Sequence, residues 1–273
     1  MNINTPQFCF ITPTCLLEQY ASQSSKHLCL AHLVDKDEVY AAFYNKMRMR
    51  GDYVIMDNSA FELEVPYSAD KLLGLAEKCG ANAIVLPDYP FRESMYTINM
   101  ALKWGEIFKN KGFETVFVPQ SLTGHITDWL RAYDFASTSP VVDIIGMSIL
   151  GIPNAIPKID RSFARVVMTA LLQNQQRFSI KRHHYLGLNS GPGLELPSLI
   201  KMGALWSCDS SNPVWMAMLG HEYTINTDSC LPVKKCTFPV NFEYNEKIDA
   251  HTHKLIQHNI NVVKEIFNDN ITK

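Results

Sequence analysis

Neither a leader nor a membrane-spanning helix is expected from the sequence. Met1 to Gln7 carries no basic stretch followed by an apolar run, and no uninterrupted apolar segment is long enough to span a bilayer. Charge of one sign is lacking too. Against 25 Lys and Arg stand 27 Asp and Glu, a formal net charge of −2. Binding to nucleic acid therefore has to come from a local basic patch rather than from bulk charge. No Gly/Ser linker, charge run or low-complexity stretch divides the 273 residues, so one large domain is expected. Seven scattered cysteines, an odd number without the spacing of a disulfide scaffold, point to a reducing, cytoplasmic setting.

What is present is alternation. Apolar or β-branched runs at Phe8–Ile11, His27–Val34, Tyr53–Asn58, Ala83–Pro87, Thr115–Gln120, Val142–Ser148, His184–Asn189 and Ala204–Ser210 read as strands. Several are continuously hydrophobic, as parallel strands buried on both faces should be. Helical patterns lie between them, among them Ala69–Cys79, Ser94–Lys111, Ile126–Ala136 and Ser162–Gln173. Eight such units predict an α/β protein of the (β/α)8 TIM-barrel class. An open dinucleotide-binding sheet would need a Gly-rich turn after the first strand, and Ile11-Thr12-Pro13-Thr14-Cys15 offers none. After Ser211 come a short helix near Pro213–Gly220, a loop-rich stretch and a final helix over Asp249–Phe267. Residues 221–273 read as an appendage packed on the barrel.

In a barrel the loops after the strands form the active-site face. Read to their carboxyl ends, the strands deliver Asp57, Asp88, Gln120 and Asp209 to one rim, with Gly146-Met147 and Leu186-Gly187 between them. A single Asp after a strand is commonly a turn or cap residue. Gathered like charges are costly and mark working sites. Two carboxylates about a glycosidic bond suit its cleavage with retention, one as nucleophile and one as acid/base, roughly 5 Å apart. A further Asp with a Gln suits a guanine-like edge, and Phe61 with Leu186 would sandwich a planar base, core packing being the other account of both.

The order and content of these segments, from about Tyr53 to Ser211, resemble the tRNA-guanine transglycosylase superfamily, and most of all its compact phage and bacterial members that place 7-deazaguanines in DNA. Asp57-Asn58-Ser59-Ala60-Phe61 resembles the family's Asp-Ser-Gly-Gly-aromatic segment, which implies Asp57 as general acid/base and Phe61 as a stacking ring. Asp88 and Gln120 fall where the family contacts the base. Gly146-Met147 resembles a Gly-Gly step whose backbone donates to the base carbonyl, with Met147 replacing the second Gly. Leu186-Gly187 resembles its stacking-residue–Gly step. Asp209 in Cys208-Asp209-Ser210-Ser211 resembles the nucleophile, one position later relative to Gly203 than the family pattern has it.

The tRNA enzymes also hold a structural zinc on a Cys-x-Cys-x-x-Cys cluster and a distant His. Here only Cys230 and Cys236 stand in that region, with His258-Asn259 in the late helix. A tetrahedral Zn²⁺ site from Cys230, Cys236, His258 and either His253 or His251 is chemically reasonable. Free thiols and surface histidines explain the same residues. Asp249-Ala250-His251-Thr252-His253 also contains the His-x-His of metal amidohydrolases, but in those barrels the pair sits on the first strand, whereas here it precedes the final helix.

The resemblance implies exchange of guanine for a 7-deazaguanine such as 7-cyano-7-deazaguanine, through a covalent Asp209–sugar intermediate and without an organic cofactor. The polymer expected is DNA, with its base flipped out, in a host cytoplasm if phage-encoded. tRNA is the alternative, and a homodimer is compatible with either. Lys181, Arg182, Lys234 and Lys235, with His183, His184 and Arg161, are the expected phosphate contacts, solvated charge being the plain account of each. A non-catalytic nucleic-acid-binding relative and an unrelated barrel hydrolase acting on a small metabolite are the other classes.

Overall fold

In the computed structural model, residues 5–189, 191–226, 230–232 and 241–271 are described, without side chains for 230–232 and 269–271. Eight parallel strands form one sheet. They are β1 (Gln7–Phe10), β2 (Lys26–Leu30), β3 (Tyr53–Asp57), β4 (Ala83–Val85), β5 (Glu114–Phe117), β6 (Ile144–Gly146), β7 (Arg182–Tyr185) and β8 (Ser207–Ser210). The hydrogen-bonded order runs β1-β8-β7-β6-β5-β4-β3-β2, so every strand but one neighbours its successor and β1 returns beside β8. At the remaining seam β1 and β2 lie in contact, and the Gln7 Oε1 bridges them by accepting from Ser25 N (3.2 Å) and Ser25 Oγ (2.6 Å). This is the (β/α)8 barrel the alternation predicts.

The helices are α1 (Ala31–Lys36), α2 (Glu38–Arg50), α3 (Ala60–Leu63), α4 (Ala69–Cys79), α5 (Ser94–Asn110) and α6 (Ile126–Thr138). They continue with α7 (Gly151–Ala155), α8 (Ala164–Asn174), α9 (Glu195–Lys201), α10 (Asn212–Met218) and α11 (Ala250–Ile271). The α4 helix has the expected limits and ends on Gly80, whose φ of +69° provides the left-handed C-cap. The second strand differs from expectation. It stops at Leu30, and Ala31-His32-Leu33-Val34, buried throughout, turns into α1. A short, mostly apolar run does not tell a buried strand from a buried helix turn. Asp37 then caps α2, accepting from Val39 N and Tyr40 N, in a segment that had no assignment from the sequence.

The final helix α11 packs on α9, α10 and β1. It fills the place of a wall helix of the barrel, held through Asn259, which accepts from Tyr223 N (2.8 Å) and donates to Pro213 O and His221 O. A short antiparallel pair, β9 (His221–Tyr223) with β10 (Cys230–Pro232), lies beside it. Among the described residues no helix is long and apolar enough to cross a membrane.

Candidate active site

The carboxyl ends of the strands bring Asp57, Asp88, Gln120 and Asp209 to one mouth. At β3 the chain makes a tight reversal. Ser59 sits at φ +58°, a left-handed conformation costly for a residue other than Gly, and it is pinned on every side. Its N–H donates to Asp57 Oδ2 (2.7 Å), and its Oγ accepts from His32 N (3.1 Å) and lies 2.9 Å from His32 Nδ1. Asn58 Oδ1 accepts from Ala60 N (2.8 Å), which starts α3. The turn is thus built by the Asp-Asn-Ser side chains themselves.

Asp88 is buried between two amides. Its Oδ1 accepts from Asn58 Nδ2 (2.7 Å) and its Oδ2 from Gln120 Nε2 (2.6 Å), while Asn58 also donates to Leu86 O (2.8 Å). Donation to a carboxylate fixes which end of the Gln120 amide faces Asp88. The Gln120 Oε1 is consequently left buried and without a hydrogen-bond partner. Burial pushes the Asp88 carboxyl up to about 6, against the pull of the Asn58 and Gln120 donors.

Asp57 lies close enough to the other carboxylates to feel them. Burial first, then Glu62, Asp88 and Asp209, push its carboxyl well above the usual range, against the Ser59 N–H. Glu62, on α3, is a member of the site that residue pattern alone did not single out. Its Oε2 is buried without a partner, and burial, then the Asp209 charge, raises its own carboxyl. Its only sequence signal was adjacency to Phe61. Phe61 itself is 69% exposed.

Asp209, 6% exposed on β8, accepts from Gly187 N at 3.2 Å. His184 Nε2 lies 3.1 Å from the same oxygen but out of line for a hydrogen bond, while its Nδ1 is 2.7 Å from Ser207 Oγ. Gly187 has φ +75°, and a Cβ there would sit 2.6 Å from Ile149 Cγ2, so this position admits only Gly. Gly146 is closely approached too, since a Cβ there would meet the side-chain methyls Val118 Cγ2 at 2.7 Å and Leu186 Cδ1 at 2.8 Å. Leu186, half-buried, packs on that bare backbone. The expected donation from the Gly146-Met147 backbone needs correction at Met147. Its N–H is already engaged on His184 O (2.7 Å) in the β6–β7 ladder, and its side chain is buried.

Behind β6 and β7 lies an ion pair that the sequence reading also missed. Arg165 on α8 and Glu195 on α9 are both fully buried and meet in a two-pronged contact, Nε to Oε1 at 2.7 Å and Nη2 to Oε2 at 2.6 Å. A cation inside the apolar run Ala164–Met168 was the signal for it.

The expected phosphate contacts are corrected by strand direction. Lys181 and Arg182 stand at the amino end of β7, opposite the carboxylates. Lys181 Nζ donates to Ala136 O (2.8 Å) and Ser139 O (2.6 Å) at the end of α6. Arg182 pairs with Glu114 (2.5 Å) and lies over the Trp206 and Tyr53 rings. His183 is buried, 2.8 Å from Tyr133 Oη and stacked on Phe178, and burial pulls it down to about 3. Lys234 and Lys235 lie outside the described residues, and Arg161 is exposed near the start of α8. A cavity of about 620 Å³ between Thr5–Phe8, Ser22–Ser25, Arg50 and Lys264 likewise belongs to the amino-end half of the barrel. The carboxyls converge at the other end.

The zinc ligand set does not assemble where it can be followed. His253 Nδ1 is 2.5 Å from Tyr20 Oη, and His258 Nε2 is 3.1 Å from Tyr223 O and 3.6 Å from Glu222. His251 is exposed. Among the described residues no group of His, Cys, Asp and Glu converges as a metal site. The Cys230 side chain and Cys236 lie outside them.

The sequence matches no protein-family profile and no curated protein. Among solved structures the chain is similar to RipC from Yersinia pestis, at 10% identity and a TM-score of 0.45, over 77% of this chain and 90% of that one. It is also similar to N-acetylneuraminate lyase from Mycoplasma synoviae, at 12% identity and a TM-score of 0.43, over 79% and 74% of the two chains. At such scores the barrel assignment rests on the strand order above.

Proposed function

We propose that the chain is a base-exchanging transglycosylase that replaces guanine by a 7-deazaguanine in a nucleic acid, with DNA as the polymer. One observation carries this reading. The amide-clamped Asp88, with the open acceptor of Gln120 beside it, shares a mouth with the carboxyls of Asp57, Glu62 and Asp209. An ionised carboxylate has about four acceptor positions, and Asn58 and Gln120 use two of those on Asp88. The remainder suit a ring N–H and an exocyclic amine, and the second Gln120 N–H suits a carbonyl.

In this reading Asp209 attacks the anomeric carbon, and the bond to the guanine N9 breaks with protonation of the departing base by Asp57. Burial among carboxylates raises the Asp57 carboxyl, the direction a general acid requires. The incoming base returns its N9 proton to Asp57, its nitrogen re-forms the bond to the anomeric carbon, and Asp209 leaves as a carboxylate. The test is incubation with labelled 7-cyano-7-deazaguanine and either duplex DNA or tRNA. Label entering DNA supports the reading, label entering only tRNA reassigns the polymer, and label entering neither overturns base exchange.

The Asp88 carboxyl gives this reading a pH signature. Below about 6 it is protonated and accepts fewer N–H groups. Binding of the free 7-deazaguanine, followed by calorimetry, is expected to strengthen as pH rises through about 6. Stability moves the other way. A carboxyl raised from 3.8 to about 6 in the folded state contributes up to ~3 kcal/mol below the unfolded value, lost as pH passes through about 6. Base binding independent of pH between 5 and 7 would contradict an Asp88-centred pocket.

A further inference from the structure

We infer that Arg165 is the positioning residue for Asp209: it holds the carbonyl oxygen of the Leu186–Gly187 peptide, and so turns that peptide's N–H onto the Asp209 carboxylate. The inference rests on the reading of Asp209 as nucleophile given above. Arg165 offers five N–H groups, and all five have acceptors. Two go to Glu195 at 2.7 and 2.6 Å. The other three go to backbone carbonyls at the carboxyl ends of β6 and β7, namely Met147 O (3.1 Å), Leu186 O (2.9 Å) and Gly187 O (2.9 Å).

Leu186 O and Gly187 N belong to one planar trans peptide, in which C=O and N–H point in opposite directions. Fixing the oxygen therefore fixes the direction of the N–H. Ile149 N donates to the same Leu186 O (3.0 Å), and on the far side Gly187 N donates to Asp209 Oδ1 (3.2 Å). That is the one side-chain hydrogen bond of Asp209 among the described residues. Gly187 is obligatory at φ +75° beside Ile149, and a Gly linkage by itself swings freely. Arg165 removes that freedom by holding the peptides on both sides of Gly187. Only a planar fork reaches these acceptors together, and a Lys ammonium in the same place would not. Glu195 has the matching task of keeping the fork in plane.

The test uses the full chain carrying R165M/E195L, which removes both charges of the buried pair together, with R165K as its companion. The Gly187 amide is followed by ¹⁵N–¹H NMR and hydrogen exchange, alongside kcat and KM for base exchange. The double variant is expected to shift the Gly187 amide, speed its exchange by about 10- to 100-fold, and lower kcat by a similar factor. KM for the free base is expected to change less than kcat, because Asp88 and Gln120 do not touch Arg165 while the Leu186–Gly187 step does. R165K is expected to fall between the two. An unchanged Gly187 amide in the folded double variant overturns the inference. Should that variant not fold, R165K decides alone, with an unmoved Gly187 amide again overturning it. If the native chain exchanges no base, the transglycosylase reading fails, while the Gly187 amide still decides whether Arg165 positions Asp209.

Discussion

Asp209→Asn is expected to abolish base exchange and covalent capture of the polymer while leaving the fold and the free-base pocket in place. The amide keeps the shape of the carboxylate, and its oxygen can still accept from Gly187 N. What it lacks is the charge and nucleophilicity that open the glycosidic bond. Loss of a nucleophile of this kind costs on the order of 10³-fold or more in turnover. Stability is expected to hold, because the amide keeps the carboxylate's shape and its contact with Gly187 N. Thermal unfolding, calorimetry with the 7-deazaguanine and single-turnover capture, measured on one preparation, separate these effects. Full exchange by D209N would remove Asp209 from the mechanism.

The second large effect is on stability. Arg165→Met alone leaves the Glu195 carboxylate buried at 0% exposure without its counter-charge. It also removes one donor from each of three backbone carbonyls, Met147 O, Leu186 O and Gly187 O. Breaking one side of a buried pair typically costs about 3–5 kcal/mol. For a chain of this size that lowers Tm by about 10 °C. Removing both charges together in R165M/E195L is expected to recover most of the loss, since the cost comes from the uncompensated charge rather than from the missing attraction. Equal Tm values for the single and double variants would mean that the pair acts through packing alone.

The barrel was legible because parallel strands buried on both faces leave continuous apolar runs such as Ile84-Val85-Leu86 and Val116-Phe117-Val118, punctuated by Gly-capped helices. The buried run at Ala31–Val34 is too short to carry a period that distinguishes helix from strand, so the sequence extends β2 too far. Asp57, Asp88, Gln120 and Asp209 could be grouped because a strand's carboxyl end is recognisable from where its apolar run stops. Glu62 could not, since only the reversal at Ser59, locked by His32, brings its carboxylate back toward the strands. Arg165 and Glu195 are 30 residues apart on separate helices, and nothing in the linear order couples them. Lys181 and Arg182 looked like phosphate contacts by composition, yet their place at the amino end of β7 consigns them to the opposite end of the barrel. Direction along the strand outweighs residue type.

The central claim is a covalent exchange through Asp209, and intact mass followed by peptide mapping of quenched turnover mixtures tests it most directly. With DNA and no acceptor base, the account predicts a nucleotide adduct on the peptide carrying Asp209, which disappears when a 7-deazaguanine is added. Transfer of labelled base with no adduct on Asp209, or an adduct on another residue, would contradict it.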